Sequence, residues 1–454
     1  DLLLDINGSV IDGELTFDID IQLSEEELHT FSNAFKSALV NVIDLACKRA
    51  KNGSIKTPSD YGVDISISRL RQLQDRFQIQ NVYAATSLQQ GFISHYLNQP
   101  DDDAYRVQLL LDYNKRLDLN LYKQAWNFAS LRYPVLRAAF DWDGELIQVV
   151  TKGESFCDEN FVLLDVSHLP DSEKEDEIAR IQQEDRLVGF DLSQPGLMRF
   201  TLIKQNDDLY TLLKTEHHSI SDGWSGAVLL DAVHRYYDSL VQGTVPEVVE
   251  DASYLDAQSY YQIANKENNH FWNEEKSNFA DANDIRWMLS DFDKGQSLDL
   301  SQTKRIAKSG EQSLVIAGQD YDNLKRTCME EGVTVNVVSQ FAWHKLLQLY
   351  TQDEQTIVGS TLSGRDIPVN GVENSVGLFI NTLPLAINWN GSSSIKDQLL
   401  SIQGKIAQLN TNSSIPLASL QNGGERLFHS IFIFENYPLP ENSDTPKRPG
   451  LCAP

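Results

Sequence analysis

His217-His218-Ser219-Ile220-Ser221-Asp222-Gly223-Trp224 follows a strand-like run, Leu209 to Thr215, and precedes a helical stripe of Val228, Leu229, Ala232, Val233 and Tyr236. A strand that hands over to a helix through a short polar turn is a building unit of α/β or α+β architecture. Asp222-Gly223 supplies the turn chemistry. Adjacent residues on a strand point to opposite faces, so one of His217 and His218 faces a substrate and the other is structural. An imidazole with an ordinary pKa of about 6.5 can take a proton from an attacking ammonium or hold an amine in place. A loop separates Asp222 from His218, which disfavours a relay between them. Asp222 then has two readings: a charge-assisted contact that locks the loop, with Arg365 of Ser363-Gly364-Arg365-Asp366 the best candidate, or plain turn chemistry.

Working outward, Met198 to Ile203 and Leu209 to Thr215 form a strand pair around Asn206-Asp207-Asp208. Upstream, Tyr105 to Asp112 is strand-like, Leu121 to Ala139 is helix-like with an interruption at Pro134, and Phe140 to Glu145 turns into a strand at Leu146 to Val150. Downstream, Gln242 to Glu247 marks a crossing between lobes. Beyond it lie helices around Tyr254 to Trp272 and Asn336 to Tyr350, and strands at Gln355 to Thr361 and Val376 to Leu385. At the other end, residues 1–20 read as two strands joined through Ile11-Asp12-Gly13-Glu14. Ser24 with Glu27 opens a helix whose stripe is Leu28, Phe31, Phe35, Leu39, Val42, Ile43 and Ala46. The expected divisions are a separate unit over 1–50, a linker over 51–65, an N-terminal lobe over 66–245 and a C-terminal lobe over 246–454.

A chain of 454 residues exceeds what one hydrophobic core serves, which favours two lobes and an appendage. The formal charge of −27 repels polyphosphate and disfavours nucleic-acid binding. Cys47, Cys157, Cys328 and Cys452 are far apart in the chain and form neither a metal-ligand pair nor a disulfide ladder, which fits a reducing cytoplasm. No apolar run approaches the roughly 20 residues that span a bilayer. The strand-like start Asp1-Leu2-Leu3-Leu4-Asp5 reads as a chain cut from something longer. No Gly-x-Ser-x-Gly elbow, phosphate-binding loop or dinucleotide glycine cluster is present, and adjacent histidines on a strand diverge too far for a metal site. Direct attack of one bound substrate on another is the chemistry left.

The segment resembles the His-His-x-x-x-Asp-Gly signature of nonribosomal peptide synthetase condensation domains, and further segments match in order over roughly residues 80 to 440. Thr86 to Phe92 is similar to the family's opening motif, Ser363 to Asp366 to its glycine-arginine element, Val376 to Thr382 to its Gly-x-Phe-x-Asn-Thr motif, and His429-Ser430 with Phe434 to Pro438 to a late strand motif. The resemblance implies an α/β fold, an α+β two-layer sandwich, with two chloramphenicol-acetyltransferase-like lobes arranged as a V. It implies His218 as the catalytic residue, His217, Asp222, Gly223 and Arg365 as structural at the site, and a tunnel lined by Trp224, Ser225, Gln89 and Asn381. No metal and no directly bound cofactor are implied. Both substrates ride on phosphopantetheine arms of upstream and downstream peptidyl carrier domains.

Gln89-Gln90-Gly91-Phe92 resembles condensation domains that accept a D-configured donor, and Gly13 to Phe17 with the following helix resembles the tail of an epimerization domain. These imply an upstream epimerization domain and a downstream adenylation domain as neighbours. A departure from the family is also expected: the chain stops at Pro454, so the second lobe is truncated and the activity of the chain in isolation is in question. The alternatives are an epimerization domain of the same superfamily, a non-catalytic carrier-docking module and a free coenzyme A acyltransferase. Trp224-Ser225-Gly226 favours condensation over epimerization.

Overall fold

The computed structural model describes residues 3–51, 56–100, 102–285, 310, 312–389, 391–421 and 426–435. The chain divides into two compact units, Asp1–Leu70 and Arg71–Pro454. In the first, strands β1 (Leu4–Ile11) and β2 (Glu14–Ile21) pair antiparallel and are followed by helix α1 (Glu25–Lys51). The two-residue turn works because Asp12 and Gly13 both take positive φ, 51° and 83°, which matches the twist of the hairpin. The Ser24 amide donates to Oε2 of Glu27 at 3.0 Å, and three glutamates sit in the first turn, where the helix dipole favours negative charge. Phe35 packs edge-on against Phe17 at 5.2 Å. The expected stripe is only partly used: Leu28, Phe31, Phe35 and Leu39 are half-buried, while Val42 and Ile43 are 64% and 45% exposed. Length explains it, since 27 helical residues run about 40 Å and eight-residue strands only about 27 Å.

The second unit begins within helix α2 (Ile67–Arg76) and continues through β3 (Ile79–Ala84), α3 (Ser87–Asn98), β4 (Arg106–Tyr113), α4 (Leu119–Arg132), β5 (Ala138–Asp141), β6 (Ile147–Thr151), β7 (Phe161–Asp165), α5 (Asp171–Leu187), β8 (Met198–Lys204), β9 (Tyr210–His217) and α6 (Gly223–Val241). Two sheets result, one in the order β3-β6-β5 and one in the order β4-β9-β8-β7. The helix expected over Leu121 to Ala139 stops at Arg132. Pro134 opens a short 3-10 turn to Arg137, and Ala138 and Ala139 belong to β5, because proline lacks the amide an α-helix needs there. A core of aromatic and branched residues, with Trp126, Phe156, Phe161 and Phe200 in mutual ring contact, fills the space between the four-stranded sheet and its helices.

The rest comprises α7 (Ala252–Lys276), α8 (Gly318–Glu331), α9 (Val335–Thr351), β10 (Gln355–Leu362), β11 (Asn381–Asn388), α10 (Ile395–Thr411) and β12 (Ile431–Phe432). Its sheet runs β11-β10-β12, with β12 parallel to β10. Helix α7 joins two cores: Tyr254 and Ala257 near its start are fully buried in the first, and Trp272 near its end is buried in the second, with Cys328, Val337, Leu383 and Ile402. The first core also takes in Val372, Val376 and Phe379. The strand expected over Val376 to Leu385 begins only at Asn381; Val376–Ile380 is a buried loop whose backbone bonds to side chains of the site instead of to a ladder. Of the late motif, Asn436 to Pro438 lie outside the described residues, as does the tail with Cys452. No helix among the described residues is long and apolar enough to cross a membrane.

Candidate active site

All eight residues of β9 are buried, which makes the strand a rigid mount. Its ladder with β4 ends at the pair Arg106–His217, and one further rung forms where the His218 amide donates to the Tyr105 carbonyl at 2.8 Å. The chain then leaves the sheet through a 3-10 turn, His218 to Ile220. Asp222 caps α6 by accepting from the Ser225 amide at 2.8 Å, so strand and helix are pinned within six residues.

The two imidazoles have different surroundings. His217 is buried, and its Nδ1 accepts from the Ser219 amide at 3.2 Å and lies 2.8 Å from the Ser219 hydroxyl, which assigns its proton to Nε2. Burial, then the electrostatic influence of His218 and Arg106, push its pKa down to about 3, so it stays neutral. His218 is half-buried. Its Nδ1 lies 2.7 Å from the Ser221 carbonyl oxygen, which can only accept, so Nδ1 is the donor, and in the neutral imidazole Nε2 is the acceptor. The Phe92 ring stands 5.3 Å from the His218 ring.

The Asp222 carboxylate faces away from this chemistry. Oδ1 accepts from the Ser225 amide and hydroxyl, both at 2.8 Å, and from Arg365 Nη2 at 3.2 Å. Oδ2 accepts from Arg365 Nη1 at 2.9 Å and from the Phe379 amide at 3.0 Å. Arg365 donates further to the Ser225 hydroxyl at 2.9 Å and the Ser375 carbonyl at 3.3 Å, and its guanidinium lies over the Phe379 and Trp224 rings at 4.3 and 5.5 Å. With side chains 4% and 0% exposed, this is a buried fork-to-carboxylate pair that ties the start of α6 to the segment after β10.

Gly364 makes the approach possible. It has a φ of 66°, and a Cβ there would sit 1.8 Å from the Phe379 oxygen. Its carbonyl accepts from the Tyr261 hydroxyl at 2.7 Å. Gly223 is exposed as the first residue of α6.

The structure gathers His217, His218, Asp222, Gly223, Trp224, Ser225 and Arg365 in one place and brings in Gln89, whose Nε2 donates to the Ser219 carbonyl at 2.9 Å. Ser225 and Gln89, expected along a tunnel, are both buried. The Ser225 hydroxyl lies within hydrogen-bond distance of Asp222, Arg365 and the Gly377 amide and carbonyl, and Gln89 completes a capping box with Thr86. Trp224 is half-buried and donates to the Glu373 carbonyl at 2.8 Å. Asn381 lies apart, spending its amide on the Ser413 and Ile415 carbonyls at 2.7 and 2.9 Å. It lines a cleft of about 380 Å³, partly open to solvent, with Thr86, Ser87, Leu88, Tyr261, Leu378, Phe379, Ile380, Ser413 and Ser414; His218 is not on its wall. The backbone groups of Gly377 and Phe379 were invisible as site components in the sequence, because every residue has them and only the fold decides which are used.

A model of the condensation-domain family matches residues 79–451. The chain is 35% identical over 359 residues, 78% of its length, to the N-(5-amino-5-carboxypentanoyl)-L-cysteinyl-D-valine synthase of Amycolatopsis lactamdurans. It is 27% identical over 454 aligned residues, 96% of its length, to bacitracin synthase 1 of Bacillus licheniformis. It spans about a tenth of the length of these curated relatives, 10% and 8%. Among solved structures, the first condensation domain of the calcium-dependent antibiotic synthetase, in complex with a substrate analogue, shares the fold with a TM-score of 0.58 at 17% identity, covering 78% of this chain and 79% of that one. The match over most of the length, on this fold, shows that the chain belongs to the condensation-domain family, the amide-bond-forming acyltransferases of nonribosomal peptide synthetases.

Proposed function

We propose that this chain joins a D-configured donor acyl group to an acceptor amino acid, both presented as thioesters on the phosphopantetheine arms of peptidyl carrier domains, with His218 as the catalytic residue. The observation that carries this reading is the Nδ1–H bond from His218 to the Ser221 carbonyl, which leaves Nε2 an unprotonated acceptor on a rigid mount. The acceptor's α-amine donates to Nε2, and its nitrogen attacks the donor carbonyl carbon. The C–N bond forms, the C–S bond breaks, the amine's proton passes through Nε2, and the pantetheine sulfur departs as a thiol. Holding both ends in reach supplies much of the acceleration, so the remaining residues serve geometry. His217, Asp222, Gly223 and Arg365 maintain the turn that aims His218, and Trp224 and Asn381 border the substrate path.

The D-donor preference is supported by the Gln89-Gln90-Gly91-Phe92 motif and by the hairpin and helix of residues 1–50, which resemble the tail of an upstream epimerization domain. A downstream adenylation domain supplies the acceptor. The chain is tested with a donor carrier bearing matched D- or L-aminoacyl thioesters and an acceptor carrier bearing an L-aminoacyl thioester. Amide product from the D-donor in clear excess over the L-donor is expected, with His218→Ala lowering the rate by about 10²- to 10⁴-fold while carrier binding persists. Equal turnover of both donors would remove the D-donor assignment. Solvent deuterium appearing at the α-carbon without amide product would make the chain an epimerase, and carrier binding with no turnover by the unmodified chain would make it a docking module.

A further inference from the structure

Among the described residues three non-glycine residues have positive φ: Asp12, Tyr105 and Gln352. Asp12 sits in a hairpin turn and Gln352 ends α9, places where a left-handed residue is ordinary. Tyr105, with φ 64°, immediately precedes β4, and a bulky aromatic there crowds its own carbonyl. Such residues persist where the surroundings over-determine them, commonly beside functional groups.

Two contacts lead from Tyr105 to His218. Its carbonyl accepts from the His218 amide at 2.8 Å, beyond the last pair of the β4–β9 ladder. Its ring stacks on Phe92, with centroids 4.1 Å apart and planes 28° apart, and Phe92 in turn lies 5.3 Å from the His218 ring. The stack is buttressed from the side: His95 meets the Tyr105 ring edge-on at 5.3 Å and is itself held by Asp102 at 3.1 Å. An extended residue would keep its ring on the face set by the strand's alternation; the left-handed φ releases the ring from that rule. One residue thus fixes the backbone of His218 through its carbonyl and supports the wall beside the imidazole through its ring.

We infer that Tyr105 is a positioning residue that holds the His218 imidazole in its Nδ1-protonated orientation. The inference rests on the proposed function and deepens it. Tyr105→Gly adopts the same φ without strain and keeps the carbonyl but deletes the ring, so the two contributions separate. In the carrier-loaded chain, Tyr105→Gly is expected to lower kcat by about 10- to 100-fold with the acceptor's KM little changed. Tyr105→Phe, which retains ring and turn, is expected to restore kcat to near the unmodified value. Nitrogen-15 spectra of histidine-labelled protein, with His218 assigned by His218→Gln, are expected to report one Nδ1–H tautomer in the unmodified chain and in Tyr105→Phe, and a mixture in Tyr105→Gly. Tyr105→Asn, which tolerates left-handed φ, gives the same comparison if the glycine variant does not fold. Unmodified kcat and a single tautomer in the ringless variants would overturn the inference, and so would Tyr105→Phe losing as much as Tyr105→Gly. If the unmodified chain makes no amide at all, the proposed function fails, while the tautomer comparison still decides the role of Tyr105.

Discussion

Two imidazoles one residue apart carry their protons on opposite nitrogens, because Nδ1 of His217 meets the Ser219 amide and Nδ1 of His218 meets the Ser221 carbonyl. Neither is oriented by Asp222, whose carboxylate is taken up by Arg365, Ser225 and the Phe379 amide. The consequence is measurable in stability. Asp222→Asn keeps the shape but leaves the Arg365 cation buried without its counter-charge and sets an amide NH₂ against other donors. A loss of about 3 kcal/mol or more is expected in denaturant unfolding, since removing one partner of a buried pair strands the other. The double variant Asp222→Asn with Arg365→Met is expected to lose less than the sum of the two single losses, because the stranded charge is gone. Additive losses would mean that the pair is not coupled as its geometry indicates.

At the scale of elements, each helix near the site starts on a side-chain cap: Thr86 for α3, Asp222 for α6 and Asp251 for α7. These caps tie helices to strands and set where functional residues can stand. Helix α1 has a cap of the same kind but outruns its hairpin, and its two halves differ in consequence. Phe35→Ala, which removes the ring packed on Phe17, is expected to destabilise the residue 1–70 unit by about 1–3 kcal/mol. Val42→Lys and Ile43→Lys are expected to change it by under about 0.5 kcal/mol, because those side chains already meet solvent. Limited proteolysis with residue-level mapping checks this; equal sensitivity of all three variants would show that the apolar end of α1 is covered in solution.

At the scale of the whole molecule, two histidines buried among the described residues stay neutral. One is His217; the other, His344, has Nδ1 2.8 Å from the Thr356 hydroxyl, and its pKa is pushed down to about 3 by burial and then by Lys405. Unfolding returns both to about 6.5, so between about 6.5 and 3 the unfolded chain binds more protons than the folded one. Their contribution is therefore intact above pH 6.5 and is lost as pH falls toward 3, by up to a few kcal/mol each. Urea unfolding at stepped pH is expected to show stability falling from about pH 6.5 downward, before the carboxylates titrate. Replacing either histidine with glutamine is expected to flatten that part of the curve, and an unchanged slope would mean that the imidazoles are solvated.

Much of this was legible in local pattern. Alternation marked the strands that flank the motif, Asp12-Gly13 marked the hairpin, Ser24 with Glu27 marked the helix start, and the ordered motifs identified the family. Each is a short-range signal written within a few residues. Asp222 and Arg365, 143 positions apart, could be nominated as partners from charge and chemistry alone. What the tertiary structure alone decided were the matters of long-range geometry. Ser225 and Gln89 are buried and committed to hydrogen bonds, and Val376–Ile380 forgoes a strand because its amides serve the Asp222 and Ser225 side chains. Tyr105 takes a left-handed φ, uncommon for its residue type, where it meets His218 and Phe92. A sequence lists donors, acceptors and rings; which of them meet depends on packing between elements distant along the chain, where the cost of burying an unpaired polar group selects the partners.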